Sequence, residues 1–220
     1  MVSKRIKIIA SLLDKSDKVL DVGTDHALLP IYLYKKDLVE LVDASDISSN
    51  VLLGAKSNIE KYNLSNKISL YLSDGLKNID IKKYNTLVIC GMGFFTIKSI
   101  LDADLSPINK LIIQTNNHLS DFRKYIASKN FMIRKEVYIF DQGIDYIIFD
   151  IKKGHQVLSD DEIQCGIYNR DNIDYYKKQI DNISLILENI PHENQKKREE
   201  LKLLINIYKK YLSREKTEEK

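Results

Sequence analysis

The sequence has no tryptophan, and its 220 residues include only two cysteines, three prolines and eight glycines. Cys90 and Cys165 are far apart and have no metal-type spacing, which predicts a reduced, cytoplasmic setting and no metal site. No apolar run is long enough to span a membrane, and the first residues lack a signal-peptide cleavage site. The net charge of +3 is small, so the composition neither requires nor excludes a nucleic-acid partner.

Hydrophobic residues make up 44% of the chain, and 13 tyrosines add to the surface available for a core. Short apolar runs alternate with segments of helical spacing up to about residue 150. The last two β-rich runs flank the turn Asp141-Gln142-Gly143, which is typical of an antiparallel hairpin. The sequence therefore predicts an α/β fold in residues 1–153, with a doubly wound, mostly parallel sheet and an antiparallel edge hairpin.

Residues 154–220 form a second predicted domain, in which no strand-like run follows Ser159. Apolar residues recur there three and four positions apart, as in a heptad seam, at Ile173, Tyr176, Ile180, Ile183, Leu187 and Ile190. Pro191 interrupts the seam, and the same spacing returns from Leu201 to Tyr211. This pattern predicts an α-helical hairpin of coiled-coil type, and we expect the terminal segment 214–220 to fray.

The segment LDVGTDHALLP (residues 20–30) begins like a nucleotide-binding loop, because an apolar strand is followed by an acid and a glycine. Asp25 and Ala27, however, stand where a dinucleotide-binding loop has glycines. Asp21 and Asp25 would repel a pyrophosphate, which prefers bare backbone N–H groups at a helix N-terminus. A ligand with positive groups fits this loop better, and S-adenosylmethionine carries a sulfonium, an amino group and a ribose.

Polar residues also follow the next predicted strands, and the ends of parallel strands share one crevice. Asp46 lies about twenty residues beyond Gly23, where Rossmann folds place the acid that binds ribose hydroxyls. Ser73-Asp74-Gly75 follows the third strand and could bind an adenine edge. The plainer alternative is that the first loop is an ordinary turn in which Asp25 is a helix N-cap.

The motifs SKRI, DVGTDHALLP, ASDIS, SDGL, CGMG and LIIQTNN occur in this order along the chain. Together they resemble the TrmK family, bacterial tRNA (adenine-N1)-methyltransferases that modify the adenine at tRNA position 22. The resemblance covers the whole chain, since members of this family also end in a helical coiled-coil domain. It implies a class I, Rossmann-like methyltransferase fold, S-adenosylmethionine as the cofactor and tRNA as the partner. The chain departs from the family pattern at Thr115 and Phe94, where proline and glycine are common.

The resemblance also implies roles for the residues that match its motifs. The residues expected to bind the methyl donor are Asp21, Gly23, Asp46, Ile47, Ser73, Asp74, Gly75, Gly91, Met92 and Gly93.

Methylation at N1 of adenine needs no general base, because N1 carries an in-plane lone pair and is unprotonated at neutral pH. The site must instead align N1 with the methyl–sulfur bond and stabilise the cationic ring that forms. We expect Asp25 to stabilise that charge, His26 to be a second catalytic candidate that orients a group, and Asn116 to line the mouth of the base pocket. For His26, simple packing at a helix start is the favoured alternative.

Nearby positions also have alternative interpretations. Phe94 or Phe95 could stack on the target base, although an apolar residue at a helix start is more often part of the core. Asn117 could line the same mouth or cap a helix. Cys90 has no adjacent base in the sequence, so we interpret it first as a packing residue.

The predicted hairpin carries basic pairs, among them Lys177-Lys178 and Lys196-Lys197, which are candidates for binding tRNA phosphates. Acids are interleaved with them, as on an ordinary solvated helix face. We expect a monomer. Two rival functions stay open, a methyltransferase acting on a small molecule or protein, and a non-catalytic RNA-binding protein. Ribonuclease-resistant methyl transfer would indicate the first, and tRNA binding without donor binding would indicate the second.

Overall fold

The computed structural model describes residues 2–218, with side chains described for residues 2–214. The strands are β1 Lys18–Val22, β2 Leu41–Asp46, β3 Leu70–Leu72, β4 Thr86–Met92, β5 Lys110–Thr115, β6 Phe131–Asp141 and β7 Ile144–Lys153. The helices are α1 Lys4–Ser11, α2 Leu28–Lys35, α3 Ser49–Lys61, α4 Phe94–Leu101, α5 Leu119–Ser128, α6 Asp160–Cys165, α7 Ile173–Asn189 and α8 Gln195–Glu218. The fraying expected at 214–220 falls almost entirely outside the described side chains and stays a prediction.

The strands form one sheet in the order β3-β2-β1-β4-β5-β7-β6. Strands β1 to β5 run parallel to one another, whereas β7 is antiparallel to both β5 and β6. The predicted doubly wound, mostly parallel sheet with an antiparallel edge hairpin is therefore confirmed. The strand order reverses between β1 and β4, and such a switch point is where open α/β sheets bind ligands.

Local signals place the helices that surround this switch point. The Ser3 side chain accepts a hydrogen bond from the Ile6 N–H at the start of α1, and Ser48 caps α3 in the same way. Pro30 lies in the first turn of α2, where a missing N–H costs no helical hydrogen bond. The N-terminal ends of α1, α2 and α3 therefore coincide with residue types that favour the start of a helix.

The two faces of the sheet bury separate apolar clusters. One contains Val19, Val42, Val88 and Ile112 beneath α1, α2 and α3. The other contains strand residues such as Leu87 together with side chains of α4, α5, α7 and α8. The C-terminal helices therefore bury part of their surface against the same core as the sheet.

Helices α7 and α8 form the predicted hairpin and run antiparallel. The Arg198 guanidinium near the start of α8 donates to the carbonyls of Leu187 and Ile190 at the end of α7, at 2.8 and 2.9 Å. At the opposite end, the Tyr176 ring lies 5.2 Å from that of Tyr211. Within the described part of the chain, every helix is too short or too polar to cross a bilayer.

A short helix that the sequence did not predict, α6, connects the sheet to this hairpin. Ser159 and Glu162 form a reciprocal capping box at its first turn. The hairpin also contacts the strand hairpin directly, since the Tyr175 ring lies 4.9 Å from the Tyr138 ring. The boundary between residues 153 and 154 stays a proposal, and an apolar core crosses it.

Candidate active site

Asp21 lies near the C-terminal end of β1, at the switch point, and only 7% of its surface is exposed. The Thr24 hydroxyl donates to its Oδ2 at 2.6 Å. Burial raises the pKa of Asp21 to about 6, helped by the nearby charges of Asp46 and Asp25 and opposed by the Thr24 hydrogen bond. A positively charged ligand would relieve this cluster of carboxylates, whereas an anion would add to the repulsion.

The backbone of the β1–α2 loop approaches the end of β4 closely. Gly23 has φ +75°, and a Cβ built on it would lie 2.0 Å from the Met92 Cε. Any side chain at position 23 would therefore displace Met92 and adopt a strained conformation. Gly91 also has a left-handed φ of +82°, but a Cβ built there would meet no atom within 4 Å. Open space therefore lies beside the backbone at Gly91.

Asp25 points outward from the same loop, with 75% of its side chain exposed. It is not the N-cap of α2, because Ala27 takes that position in a left-handed conformation without a side-chain capping bond. The capping alternative for Asp25 is therefore wrong. The Asp25 Oδ1 lies 3.4 Å from the His26 Nε2. A Cβ on Gly54 of α3 would lie 2.7 Å from the His26 Nδ1, so this ring packs on α3, as the alternative for His26 expects.

The ends of β2 and β3 are joined at Asp46. Its Oδ1 accepts the Ser48 N–H at 2.7 Å, and its carbonyl accepts the Ser73 N–H at 3.0 Å. Among the described residues, no protein group donates to the Asp46 Oδ2. Ile47 follows with 68% of its surface exposed. This carboxylate is therefore held in place with one oxygen available to a ligand.

The β3–β4 connection presents a further carboxylate, Asp74, at these strand ends. The buried Ser73 hydroxyl accepts the Asn78 N–H at 3.3 Å, which fixes the start of the turn. Gly75 has φ +61° and allows the chain to reverse. Asp74 remains exposed and forms an ion pair with Lys77. Asp74 is therefore accessible at the strand end, as the sequence predicts.

Side-chain amides join the ends of β4 and β5. The Gln114 Oε1 accepts the Gly91 N–H at 3.0 Å, and the Asn116 Nδ2 donates to the Gly91 carbonyl at 2.9 Å. The Gln114 Nε2 donates to the Asn116 Oδ1 at 2.9 Å and closes the ring of hydrogen bonds. Asn116 is therefore fixed at the rim by two partners, and Gln114 positions Gly91, a role that the sequence did not reveal.

Asn117 caps a different helix from the one that follows it. Its Oδ1 accepts the Phe94 N–H at 3.0 Å, at the start of α4, where the N-cap Gly93 has no side chain to offer. The N-cap of α5 is instead His118. Phe94 is buried in the core, whereas Phe95 is 67% exposed. Of the two rings, only that of Phe95 is therefore accessible to a base.

A cleft of about 860 Å³ opens between the ends of β4 and β5, the β6–β7 hairpin and the C-terminal helices. Its lining includes Gly91 and Asn116 on the sheet side and Gln179 and Tyr208 on the helix side. Burial raises the pKa of the adjacent Cys90 thiol to about 12, which keeps it protonated at neutral pH and agrees with a packing role.

Arg5 links this cleft to the carboxylates. It lines the cleft and also a smaller pocket of about 60 Å³ together with Asp21, Gly23 and Asp25. Its guanidinium lies 5.0 Å from the Tyr146 ring centroid, within cation–π range. The SKRI motif contains Arg5. The sequence pattern alone does not indicate, however, that this residue of α1 lies beside the end of β1.

The predicted site residues thus form two groups at one edge of the sheet. Asp21, Gly23 and Asp25 share the small pocket, while Gly91 and Asn116 line the large cleft. The other predicted residues lie at the ends of β2, β3 and β4. At the end of β4, the Met92 side chain covers Gly23. The role of each of these residues stays a prediction.

Known proteins resemble this chain in both sequence and structure. A family model described as a methyltransferase domain matches residues 2–149. A structure of M. capricolum TrmK in complex with S-adenosyl-homocysteine, its natural cofactor product, aligns with 97% of this chain and 98% of its own, with 33% identity and a TM-score of 0.82. This chain belongs to the TrmK family. The resemblance inferred from its motifs is confirmed.

Two other TrmK-like proteins extend the comparison. The tRNA (adenine(22)-N(1))-methyltransferase of Bacillus subtilis strain 168 is 29% identical over 167 residues, which cover 74% of this chain and 70% of that protein. A Streptococcus pneumoniae protein in complex with S-adenosyl-L-methionine aligns with a TM-score of 0.83 and 27% identity, over 96% of this chain and 100% of its own.

Proposed function

We propose that this TrmK-family chain transfers a methyl group from S-adenosylmethionine to N1 of an adenine at position 22 of tRNA. The observation that carries the proposal is the placement of a carboxylate pocket, lined by the buried Asp21 and the exposed Asp25, beside the large cleft that shares Arg5 with it. The B. subtilis relative, named for the same reaction, supports the choice of acceptor.

The residues present fit the methyl donor. Asp46 would accept hydrogen bonds from the ribose hydroxyls through its available Oδ2, and the Asp74 turn would contact the adenine edge. Asp21 would face the positive groups of the donor, which would stabilise its charge. The open space beside Gly91 admits a ligand close to the backbone. When bound, the donor supplies the electrophilic methyl group.

The acceptor needs alignment and charge stabilisation more than proton transfer. The exposed Asp25 carboxylate would stabilise the ring as it becomes cationic and accept a hydrogen bond from its exocyclic amine. Asn116, held by Gln114 and Gly91, is a rigid contact at the rim of the cleft. His26 packs on α3 and contributes by holding Asp25 at 3.4 Å.

The finer aspects of the function are part of the same proposal. We place the enzyme in the cytoplasm as a monomer without a metal ion, and we assign RNA binding to the coiled-coil-like hairpin of α7 and α8. That hairpin forms one wall of the cleft through residues such as Gln179 and Tyr208, which supports a role in holding the tRNA.

The direct test is mass spectrometry of nucleosides from tRNA incubated with the protein and methyl-labelled donor. We expect labelled 1-methyladenosine. Label in another nucleoside, or no label in RNA while a small molecule or protein becomes labelled, would reject the proposed acceptor.

A further inference from the structure

A second groove, of about 560 Å³, contains Asp25 and shares Arg5 with the large cleft. We call it the α2 groove, and the residues that matter in it are Arg5, Asp25, Leu28, Lys35, Lys36 and Tyr62. Helix α2 forms its floor, and it reaches the carboxylate pocket because Arg5, Asp25 and Leu28 line both. A molecule bound along the groove would therefore end at the proposed site of methyl transfer.

The α2 groove has the charge of an anion-binding surface. Its lining has three cations, Arg5, Lys35 and Lys36, and among its described lining residues Asp25 is the one acid. Asp37, which follows α2 in sequence, forms an ion pair with Lys15 instead of these cations. A chain of phosphates would therefore meet a net positive surface along most of the groove.

The groove also offers surfaces on which a base can stack. Tyr62 is 44% exposed and Leu28 is 46% exposed, although both are large apolar side chains. The Lys35 Nζ lies 4.2 Å from the centroid of the Tyr62 ring, so a cation and an aromatic ring form one unit. Cationic grooves with exposed aromatic rings are typical of proteins that bind single-stranded nucleic acid.

The groove is long enough for more than a single group. Leu28 and Lys36 are eight positions apart along α2, which corresponds to about 12 Å at the rise of an α-helix. Asp25 lies at one end of this line, and the pair of lysines lies at the other. The positive charge of the two lysines therefore lies away from the reacting atoms. It is placed to contact the part of the substrate that adjoins the target base.

We propose that the α2 groove is a second RNA-binding surface, which holds the nucleotides next to the target adenine after they leave the base stack. This rests on the proposed function. A base inside folded RNA must be exposed or flipped to reach a pocket, so its neighbours lose their stacking partners. The lysines would bind their phosphates and Tyr62 would stack on a base, while the C-terminal hairpin holds the tRNA from the other side of the cleft.

The test compares two double variants of equal charge change. Lys35→Ala/Lys36→Ala removes the groove lysines, and Lys82→Ala/Lys83→Ala removes an exposed pair that precedes β4 and is not part of the groove lining. We expect the groove variant to raise the tRNA Kd and KM roughly tenfold or more and to reduce the slope of log K against log salt by about 1–2. Donor affinity and melting temperature should match those of the control variant.

A charge-preserving variant, Lys35→Arg/Lys36→Arg, should retain tRNA affinity near that of the unmodified protein. Equal tRNA affinity and salt slope in the groove variant and the Lys82/Lys83 control would overturn the α2 groove as an RNA surface, even with full methylation of tRNA by the unmodified protein. If the unmodified protein methylates no tRNA, the proposed function fails first, and the inference fails with it.

Discussion

Three carboxylates at the same edge of the sheet differ in their surroundings, and the surroundings decide what each can do. Asp21 is buried beside Thr24 and has a raised pKa, whereas Asp25 projects into solvent from the carboxylate pocket. Asp46 lies between these extremes, held by one backbone N–H with one oxygen available. The buried Asp21 can therefore pair with a positively charged ligand, and the fixed Asp46 carboxylate can accept hydrogen bonds from hydroxyl groups. The exposed Asp25 can stabilise a cation that forms only during the reaction.

Replacing Asp46 with alanine should weaken donor binding by about 1–3 kcal/mol, because it removes the acceptor for the ribose hydroxyls. Isothermal titration calorimetry with the methyl donor measures this directly. Asp104→Ala is a suitable control, since Asp104 lies in the α4–β5 loop at the other edge of the sheet and accepts the Ser106 N–H there. Donor affinity unchanged by Asp46→Ala would reject the role of Asp46.

Replacing Asp25 with asparagine should lower the rate of methyl transfer about a hundredfold or more while leaving donor affinity nearly unchanged. The carboxylate acts mainly on charge that develops in the transition state, and such contacts are worth this much in other enzymes. Single-turnover kinetics separates the chemical step from binding. A rate close to that of the unmodified protein would show that Asp25 does not stabilise the cationic ring.

The raised pKa of Asp21 predicts a pH dependence of donor binding. Burial favours the neutral carboxyl group below about pH 6, so Asp21 loses its charge as the pH falls through that value. Affinity for the positively charged donor should therefore decrease between pH 7.5 and pH 5, as measured by calorimetry. Asp21→Asn should bind more weakly at pH 7.5 and flatten the profile, and an unchanged profile in this variant would assign the titration to another group.

Several site contacts could not be predicted at the residue scale. Gln114 and Gly91 are 23 positions apart, and Phe94 and Asn117 are equally distant in sequence. The sequence identified most of these positions as members of one crevice because strand ends meet at one edge of a sheet. It could not pair them, since which amide reaches which backbone group depends on the relative position of β4 and β5. The position of Arg5 beside Asp21 could not be predicted either, because it depends on how α1 packs against the sheet.

At the scale of elements, local signals explain where helices begin when a cap or a proline is present. Ser48 caps α3, and Pro30 lies in the first turn of α2. The third strand, β3, has only three residues and lies at one edge of the sheet. Helix α6 was missed because six residues are too few for a periodic pattern, although its capping box is visible in the sequence.

The connection between sheet and hairpin depends on a buried ion pair. The Arg123 guanidinium donates two hydrogen bonds to the Glu136 carboxylate, at 2.9 and 2.7 Å, and a third to the carbonyl of Ile163 in α6. Glu136 also accepts the Ile167 N–H at 3.1 Å. Gly166 has φ +91°, and a Cβ there would lie 2.7 Å from the Glu136 Oε2. The pair therefore fixes the path of the chain from the sheet to α7.

Glu136→Gln should destabilise the protein by about 3–5 kcal/mol, because it leaves the buried Arg123 without a countercharge. Replacing both partners, as in Arg123→Met/Glu136→Leu, should cost less than the single change. Urea denaturation measures both, with Glu40→Gln in the exposed Lys18–Glu40 pair as a control that should change stability by less than about 1 kcal/mol. A larger loss in the double variant than in the single one would contradict this account.

At the scale of the whole molecule, the sheet and the C-terminal helices share one apolar core and enclose the large cleft between them. The carboxylate pocket and the α2 groove both adjoin this cleft at Arg5, which lines all three. This arrangement places a donor site between two surfaces that can hold a large, negatively charged acceptor. We therefore expect one nucleotide of a folded tRNA to reach the donor site.

The most direct test of that claim is the position of the methyl group. Two tRNA transcripts, one with adenine and one with guanine at position 22, are incubated with the protein and labelled donor, then digested and mapped by mass spectrometry. We predict labelled 1-methyladenosine at position 22 in the first transcript and no labelled 1-methyladenosine in the second. Equal labelling of the two transcripts, or a label at another adenine, would contradict the account.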